Sequence, residues 1–312
     1  MTMSHTDLTA IMDITLRYIA NGNNDDTHLH MASRVGLSEV VGLLLKNRAP
    51  IDAVNGKKST PLHLAVEHGH LDVVSLLLEH DAPVDPVNQY ESTPLHYSTY
   101  SNAGLDIVTL LLDHGAHVEA VNQFGCTPIH YAASGKSNVI ELLLERGANV
   151  HAITHEGNTP LHCAASWGNT KGIELLLEKG ADINSINHEG NTPLHKATIH
   201  GHFDAVEILV DNFANINVFN SEGYTALYYA VTNMYNDMID FLLRHGATSY
   251  QQLPNMKCIS YSSECMNNSC RVCLSEFSSE DPVVVLSCLH NFHKDCIMKW
   301  SKRNRSCPIC RQ

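Results

Sequence analysis

The sequence predicts a mainly α chain: a solenoid of about seven helical repeats, followed by a small module built around cysteine and histidine. Three observations carry that expectation. A four-residue phrase opening on threonine recurs seven times between Thr27 and Tyr228, at nearly constant spacing. Eight of the ten cysteines crowd between Cys258 and Cys310. The charge changes sign near the same point. From Cys270 onward seven Lys or Arg face four Asp or Glu, which leaves 13 of the 20 basic and 29 of the 33 acidic residues before it.

The first element lies within residues 1–21. Leu8, Ile11, Leu16 and Ile19 fall at roughly helical spacing, which predicts a capping helix for the array that follows. An amphipathic membrane helix is the rival reading, but Arg17 is the segment's one basic side chain. The N-terminus has no basic region before its apolar residues and no small-residue cleavage site, so a secretory signal is not expected. No apolar run approaches the ~20 residues that cross a bilayer, so no membrane partner is expected.

Residues 22–248 hold the repeats. The phrase reads THLH at Thr27, TPLH at Thr60 and Thr93, TPIH at Thr127, TPLH at Thr159 and Thr192, and TALY at Thr225. Successive threonines stand 33, 33, 34, 32, 33 and 33 residues apart. Threonine is a good N-cap, and proline costs nothing in a first helical turn, where its missing N–H has no partner to lose. A leucine-rich run such as VIELLLERGA (139–148) supplies a second helix, and Gly147, Gly180 and Gly246 suit a left-handed cap behind it. The Asn- and Gly-rich stretch that follows, such as NSINHEGNT (184–192), reads as a turn between units. This period and wording resemble the ankyrin repeat, in seven copies. The resemblance implies that His30, His63, His96, His130, His162 and His195 are structural, tying adjacent turns through backbone hydrogen bonds. His68 with His70, and His200 with His202, occupy the Gly-His turn and also read as structural. No Ser/His/Asp set, P-loop or HExxH occurs here, so the array reads as a binding surface.

The one-residue changes of spacing fall around 101–104 and 135–138, which predicts reshaped inner turns in the third and fourth repeats. Tyr97, Tyr100, Tyr131 and Trp167 lie near the variable positions of the first helices, which face the concave groove in ankyrin proteins. They are candidate contacts for a protein substrate, because aromatic side chains dominate recognition surfaces. Aromatic rings packed between repeats remain the alternative. The acidic array would repel nucleic-acid phosphates, so no nucleic-acid partner is expected, and a basic protein partner fits it better.

Residues 249–269 read as a polar linker. Its Cys258 and Cys265, at C-x6-C spacing, match no common metal site and read as thiols without a ligand role. Clustered cysteines without a secretory signal indicate metal-binding thiolates in a reducing compartment, with the cytoplasm expected and the nucleus possible.

Residues 270–312 give Cys270-x2-Cys273-x14-Cys288-x-His290-x2-His293-x2-Cys296-x10-Cys307-x2-Cys310. Eight donors are enough for two tetrahedral zinc ions. A two-Cys, two-His finger does not fit, because His290 and His293 stand too close. A PHD finger does not fit either, because it needs cysteine at the fourth position and places its tryptophan two residues before the seventh ligand. The spacing resembles the RING finger in its RING-H2 form, which binds metal as a cross-brace. That resemblance assigns Cys270, Cys273, His293 and Cys296 to one zinc and Cys288, His290, Cys307 and Cys310 to the other. It further implies docking of a ubiquitin-charged conjugating enzyme (E2) at Val272, Trp300 and Pro308, with Arg311 as the linchpin between E2 and ubiquitin. Val272 and Trp300 filling a small core is the alternative. Ser287 and Ser301 depart from the family's usual Pro and Leu. The whole layout resembles ankyrin-RING E3 ubiquitin ligases, in which the array recruits a substrate and the RING promotes transfer to lysine without a nucleophile of its own. A non-catalytic adaptor using the RING as a docking module is the competing class.

Overall fold

A computed structural model describes residues 25–100, 104–247, 256–260, 282–286, 291–293 and 295–296. The expected capping helix over 1–21 lies outside them. The chain divides into two compact units, Met1–His188 and Glu189–Gln312.

In the first unit the described residues form five helix pairs: α1 (His28–Val35) with α2 (Ser38–Lys46), α3 (Pro61–Glu67) with α4 (Leu71–Glu79), α5 (Pro94–Tyr100) with α6 (Leu105–Asp113), α7 (Pro128–Ala132) with α8 (Ser137–Glu145), and α9 (Pro160–Trp167) with α10 (Thr170–Glu178). The second unit holds α11 (Pro193–Ile199) with α12 (Phe203–Asp211) and α13 (Ala226–Thr232) with α14 (Asn236–Arg244). Each pair is one copy of the repeat.

Every first helix begins directly after its phrase threonine, for a reason visible at His63. The ring Nδ1 accepts from the Thr60 backbone N–H at 3.2 Å, closing a capping box in which histidine takes the usual place of glutamate. An Nδ1 that accepts leaves the proton on Nε2, which donates to the Ser92 carbonyl of the next repeat at 3.0 Å. The same tie joins His30 to Ser59 O, His96 to Cys126 O, His130 to Asn158 O and His195 to Tyr224 O. Only a neutral imidazole fills both roles. Burial holds His63, His96, His130 and His195 neutral by lowering each pKa to about 4.

The second helices bury apolar residues at i, i+1 and i+4, as Val73, Val74 and Leu77 do in α4 and Ile107, Val108 and Leu111 in α6. Gly147, Gly180 and Gly246 take φ of 91°, 88° and 86° just past their helices, the left-handed geometry expected of them. Between repeats a short polar side chain closes the hairpin: Asn88 Oδ1 accepts from the Tyr90 and Ser92 N–H groups, and Thr154 Oγ1 takes the same role for Glu156 and Asn158. Hairpin tips are stitched in series in the first unit, by Gln89 N–H to Lys57 O, Gln123 N–H to Tyr90 O, His155 N–H to Phe124 O and His188 N–H to Glu156 O. The inner turns differ where expected. Leu105 starts twelve residues after Thr93 and Ser137 ten after Thr127, against eleven in the other repeats.

Three strands follow in the second unit: β1 (Met256–Ser260), β2 (Pro282–Leu286) and β3 (Asn291–His293), antiparallel in that order. In register Cys258 stands opposite Val284, and Val283 opposite His293. The segment expected to be only a linker, 249–269, thus contains a strand. MKCIS is too short to show a period of its own, and its pairing edge is supplied by PVVVL, more than twenty residues further on.

Candidate functional site: an aromatic ladder and a cysteine–histidine module

The ladder is built on α5 and α7. Tyr97 and Tyr131 each sit four residues after a phrase threonine, and each hydroxyl accepts from the hairpin asparagine nine residues earlier: Asn88 Nδ2 to Tyr97 at 2.7 Å, Asn122 Nδ2 to Tyr131 at 2.8 Å. Each ring also meets a buried imidazole of the preceding repeat edge-on, Tyr97 against His63 at 5.8 Å and Tyr131 against His96 at 6.0 Å. Both tyrosines are half-buried and fixed at two points. Tyr100 lies between them, with centroids 5.4 Å from Tyr97 and 5.3 Å from Tyr131 and interplanar angles near 40°. It keeps 46% exposure. Burial raises the pKa of all three hydroxyls, and the neighbouring tyrosines add to this at Tyr100. The Tyr97 hydroxyl acts on that of Tyr100, and the Cys126 thiol on that of Tyr131. The three rings therefore differ in setting. Tyr97 and Tyr131 brace the hairpins, while Tyr100 faces solvent on a fixed platform.

Trp167 ends α9 at 67% exposure and makes no ring contact among the described residues. The sequence groups it with the tyrosines; the geometry does not stack it on them. Beside the ladder a cleft of about 290 Å³ is lined by Arg34, Lys57, Leu64, Glu67, Tyr90 and Tyr97 among others. Arg34 is paired to Asp26 at 2.7 Å. The role of Asn88 and Asn122 escapes a residue-by-residue reading, yet the interval of nine to the tyrosine recurs at Asn220 and Tyr229 (2.9 Å) and was available as a signal.

The Gly-His turns are structural at His68 and His70. Their rings stack at 6.3 Å, His68 Nδ1 meets Leu64 O, and His70 Nε2 reaches Arg34 O at 2.9 Å in the preceding repeat. Among the described residues no three His, Cys, Asp or Glu side chains gather as a metal site.

In the cysteine–histidine module, His293 ends β3 and Cys296 lies in a helical turn at 295–296, both half-buried. Cys270, Cys273, Cys288, His290, Cys307, Cys310, Val272, Trp300, Pro308 and Arg311 lie outside the described residues. In the chain, Cys288 and His290 fall within the four-residue connection between Leu286 of β2 and Asn291 of β3. Six thiols and two imidazoles suit zinc chemically. The extended β3 fits as well, since it carries the chain roughly 7 Å onward from that connection to His293.

Comparison with known proteins agrees with both halves. Three copies of the ankyrin-repeats model match residues 29–122, 103–187 and 181–252, and the Ring finger domain model matches residues 268–311. RING fingers bind zinc. The crystal structure of the human ASB11 ankyrin repeat domain superposes with a TM-score of 0.63 at 27% identity, covering 72% of this chain and 100% of that one. The chain is 46% identical over 46 residues to E3 ubiquitin-protein ligase RHF1A of Arabidopsis thaliana, covering 15% of this chain and 12% of that protein. It is 48% identical over 42 residues to E3 ubiquitin-protein ligase RNF181 of Mus musculus, covering 14% and 26%. The chain thus spans between about an eighth and a quarter of the length of these curated relatives. With its repeats matched over most of its length, the chain belongs to the ankyrin-repeat family, and it carries a RING finger after the repeats.

Proposed function

We propose that this protein is a RING-type E3 ubiquitin ligase: its ankyrin array captures a protein substrate, and its RING docks a ubiquitin-charged E2. The observation that carries this reading is the RING match over 268–311, in relatives named as E3 ubiquitin-protein ligases. Two zinc ions hold the module in cross-brace fashion, one on Cys270, Cys273, His293 and Cys296, the other on Cys288, His290, Cys307 and Cys310. The extended β3 between the connection holding His290 and His293 supports placing the two histidines on different ions. Such metal binding supplies folding energy that about 43 residues lack in core, ~10–16 kcal/mol per ion.

Val272, Trp300 and Pro308 form the E2 contact. Arg311 offers a planar five-donor head that bridges E2 and ubiquitin and favours the closed, reactive arrangement of the thioester. The protein contributes no nucleophile; the attacking group is a lysine of the substrate. Tyr97, Tyr100, Tyr131 and Trp167 contact that substrate. The clustered thiolates favour a reducing compartment, and the protein acts in the cytoplasm or nucleus.

A ubiquitin-discharge assay with full-length protein and a panel of charged E2s tests this. Wild type accelerates discharge from at least one E2. Trp300→Ala abolishes E2 binding and discharge together. Arg311→Ala keeps E2 binding while slowing discharge about 10- to 100-fold, the worth of a lost charge-assisted hydrogen bond or two. Wild type without discharge from any E2 refutes the ligase reading in favour of a docking adaptor.

A further inference from the structure

We infer that the tyrosine ladder is an arginine receptor, so that the segment captured by the array is one that presents an arginine side chain. This rests on the proposed reading of the array as the substrate-binding surface and adds the chemistry of the partner.

The first ground is the shape of the ladder. The three rings of Tyr97, Tyr100 and Tyr131 adjoin at 5.3–5.4 Å but are tilted by about 40°, so they form an open stair and not a closed stack. The outer two are held by Asn88 and Asn122 and by the two imidazoles behind them. A platform fixed before binding loses little side-chain freedom on capture. A guanidinium laid against a tyrosine face gains cation–π attraction, and its flat shape matches a tilted ring pair better than an ammonium does.

Charge is the second ground. The Glu67 carboxylate acts electrostatically on both Tyr97 and Tyr100 and lines the cleft beside Tyr97, and Glu156 acts on Cys126, the thiol that in turn acts on Tyr131. Each end of the ladder therefore has a carboxylate. Both are exposed, and neither makes an ion pair among the described residues. The nearby cations leave this field standing. Arg34 is spent on Asp26, and Lys136 gives its ammonium to the Ser98 carbonyl at 3.2 Å. His63 and His96, behind the rings, carry no charge at neutral pH. Lys57 is left, on the hairpin side of the cleft that Glu67 also lines. A neutral apolar segment would cover the rings and leave two carboxylates without a cationic partner, Glu156 Oε2 accepting from the Asn158 amide at 3.0 Å. An arginine satisfies rings and carboxylate at once, because its fork of donors reaches past the ring it stacks on.

Full-length protein is titrated with a short glycine–serine peptide carrying arginine, and with the same peptide carrying citrulline, which keeps the shape and removes the charge. Binding is followed by tyrosine ring signals in NMR. The arginine peptide binds, shifts the Tyr97, Tyr100 and Tyr131 signals, and outbinds the citrulline peptide about tenfold. Glu67→Gln, at an exposed position, weakens the arginine peptide several-fold and leaves the citrulline peptide unchanged. Tyr100→Leu weakens the arginine peptide about tenfold. Equal binding of the two peptides, indifference to both substitutions, or no binding at millimolar peptide overturns the inference. The broader reading fails differently: a Tyr100→Ala, Trp167→Ala double variant that still captures and modifies the substrates of wild type sinks the groove itself. Lost capture together with equal arginine and citrulline affinities retains the groove and rejects the arginine.

Discussion

Lowering the pH from 7.5 to 5 should loosen the repeat array through its buried histidines, by an amount the structure allows to be worked out. His63, His96, His130 and His195 are at most 2% exposed and have pKa values lowered from 6.5 to about 4 by burial. Their folded values lie below the unfolded one, so the unfolded chain takes up protons first as pH falls. The stabilisation is complete above about 6.5 and is lost on the way down to about 4. At pH 5 each imidazole has forfeited about 2 kcal/mol, and about 3 kcal/mol is gone once pH reaches the folded value. The three in the first unit together forfeit roughly 6 kcal/mol at pH 5, comparable to the whole stability of a typical domain. Protonation also removes the acceptor at Nδ1, so the Thr N–H of each capping box loses its partner. The measurement is a urea unfolding series at pH 7.5, 6 and 5, with NMR titration of the ring protons. His63→Asn should be less stable than wild type at pH 7.5 yet lose about 2 kcal/mol less on going to pH 5. Rings that titrate near 6.5 in the folded protein, or a urea midpoint that does not move, would refute the two-sided role of these imidazoles.

Three further outcomes are expected. Chelation at pH 7.5, or His293→Ala, should remove the signals of the RING while the helical circular dichroism of the array stays; elemental analysis of untreated protein should give two zinc ions per chain, and one or none would break the cross-brace assignment. Gly125 and Gly115 both have positive φ (73° and 86°), but a methyl on Gly125 meets the His155 backbone nitrogen, whereas nothing lies within 4 Å of one on Gly115. Gly115→Ala should therefore cost about 1 kcal/mol of backbone strain and Gly125→Ala roughly 2–4 kcal/mol, since it also parts the His155 to Phe124 stitch; equal costs by urea unfolding would contradict the stitching. Phe213 takes φ 66° at 90% exposure where α6, α8, α10 and α14 are followed by glycine. Phe213→Gly should thus stabilise the second unit by about 1 kcal/mol, and a loss of stability would reveal packing that its exposure does not show.

The repeat was legible because its causes are local. Threonine, proline and histidine act within four residues of one another, and the leucine run shows its period on its face. The helix boundaries follow from these, and so do the left-handed glycines. Less legible was a tie made by unlike side chains. The residue just before the outer helix reaches back to a carbonyl in or just past the preceding inner helix: His70 to Arg34 O, Lys136 to Ser98 O, Asn169 to Ala133 O. An imidazole, an ammonium and an amide do one job, so no single letter marks the position in every repeat, and the fold reveals it. The ladder falls between these cases. Its tyrosines were visible as candidates, but which of them is bound to a hairpin and which is free to meet a partner depends on Asn88 and Asn122 arriving from outside the helices. Trp167 shows the limit of grouping by residue type: it stands eight residues after its phrase threonine, where the tyrosines stand four or seven after theirs, and it makes none of their ring contacts. β1 was invisible for a simpler reason, since five residues without a strong period acquire meaning only from the strand they pair with.

The two halves of the chain draw stability from different sources, and this bears on how the proposed activity fails. Within each unit neighbouring repeats are tied by imidazoles and hairpin hydrogen bonds, so the array weakens where its neutral histidines are charged. The RING gains from metal, so it weakens where thiolates are protonated or the ion is removed. Acid therefore strikes both, but a chelator at neutral pH strikes one. Under the proposed function, chelated protein at pH 7.5 should have lost ubiquitin discharge while the Tyr97–Tyr100–Tyr131 platform, pinned by Asn88 and Asn122, still binds its arginine-bearing partner. Such protein would then act as a competitor of the intact ligase, holding substrate without passing it on. That outcome needs the capture surface to be complete within the repeats, and the hydrogen bonds and ring contacts that fix the ladder all begin and end between His63 and Tyr131.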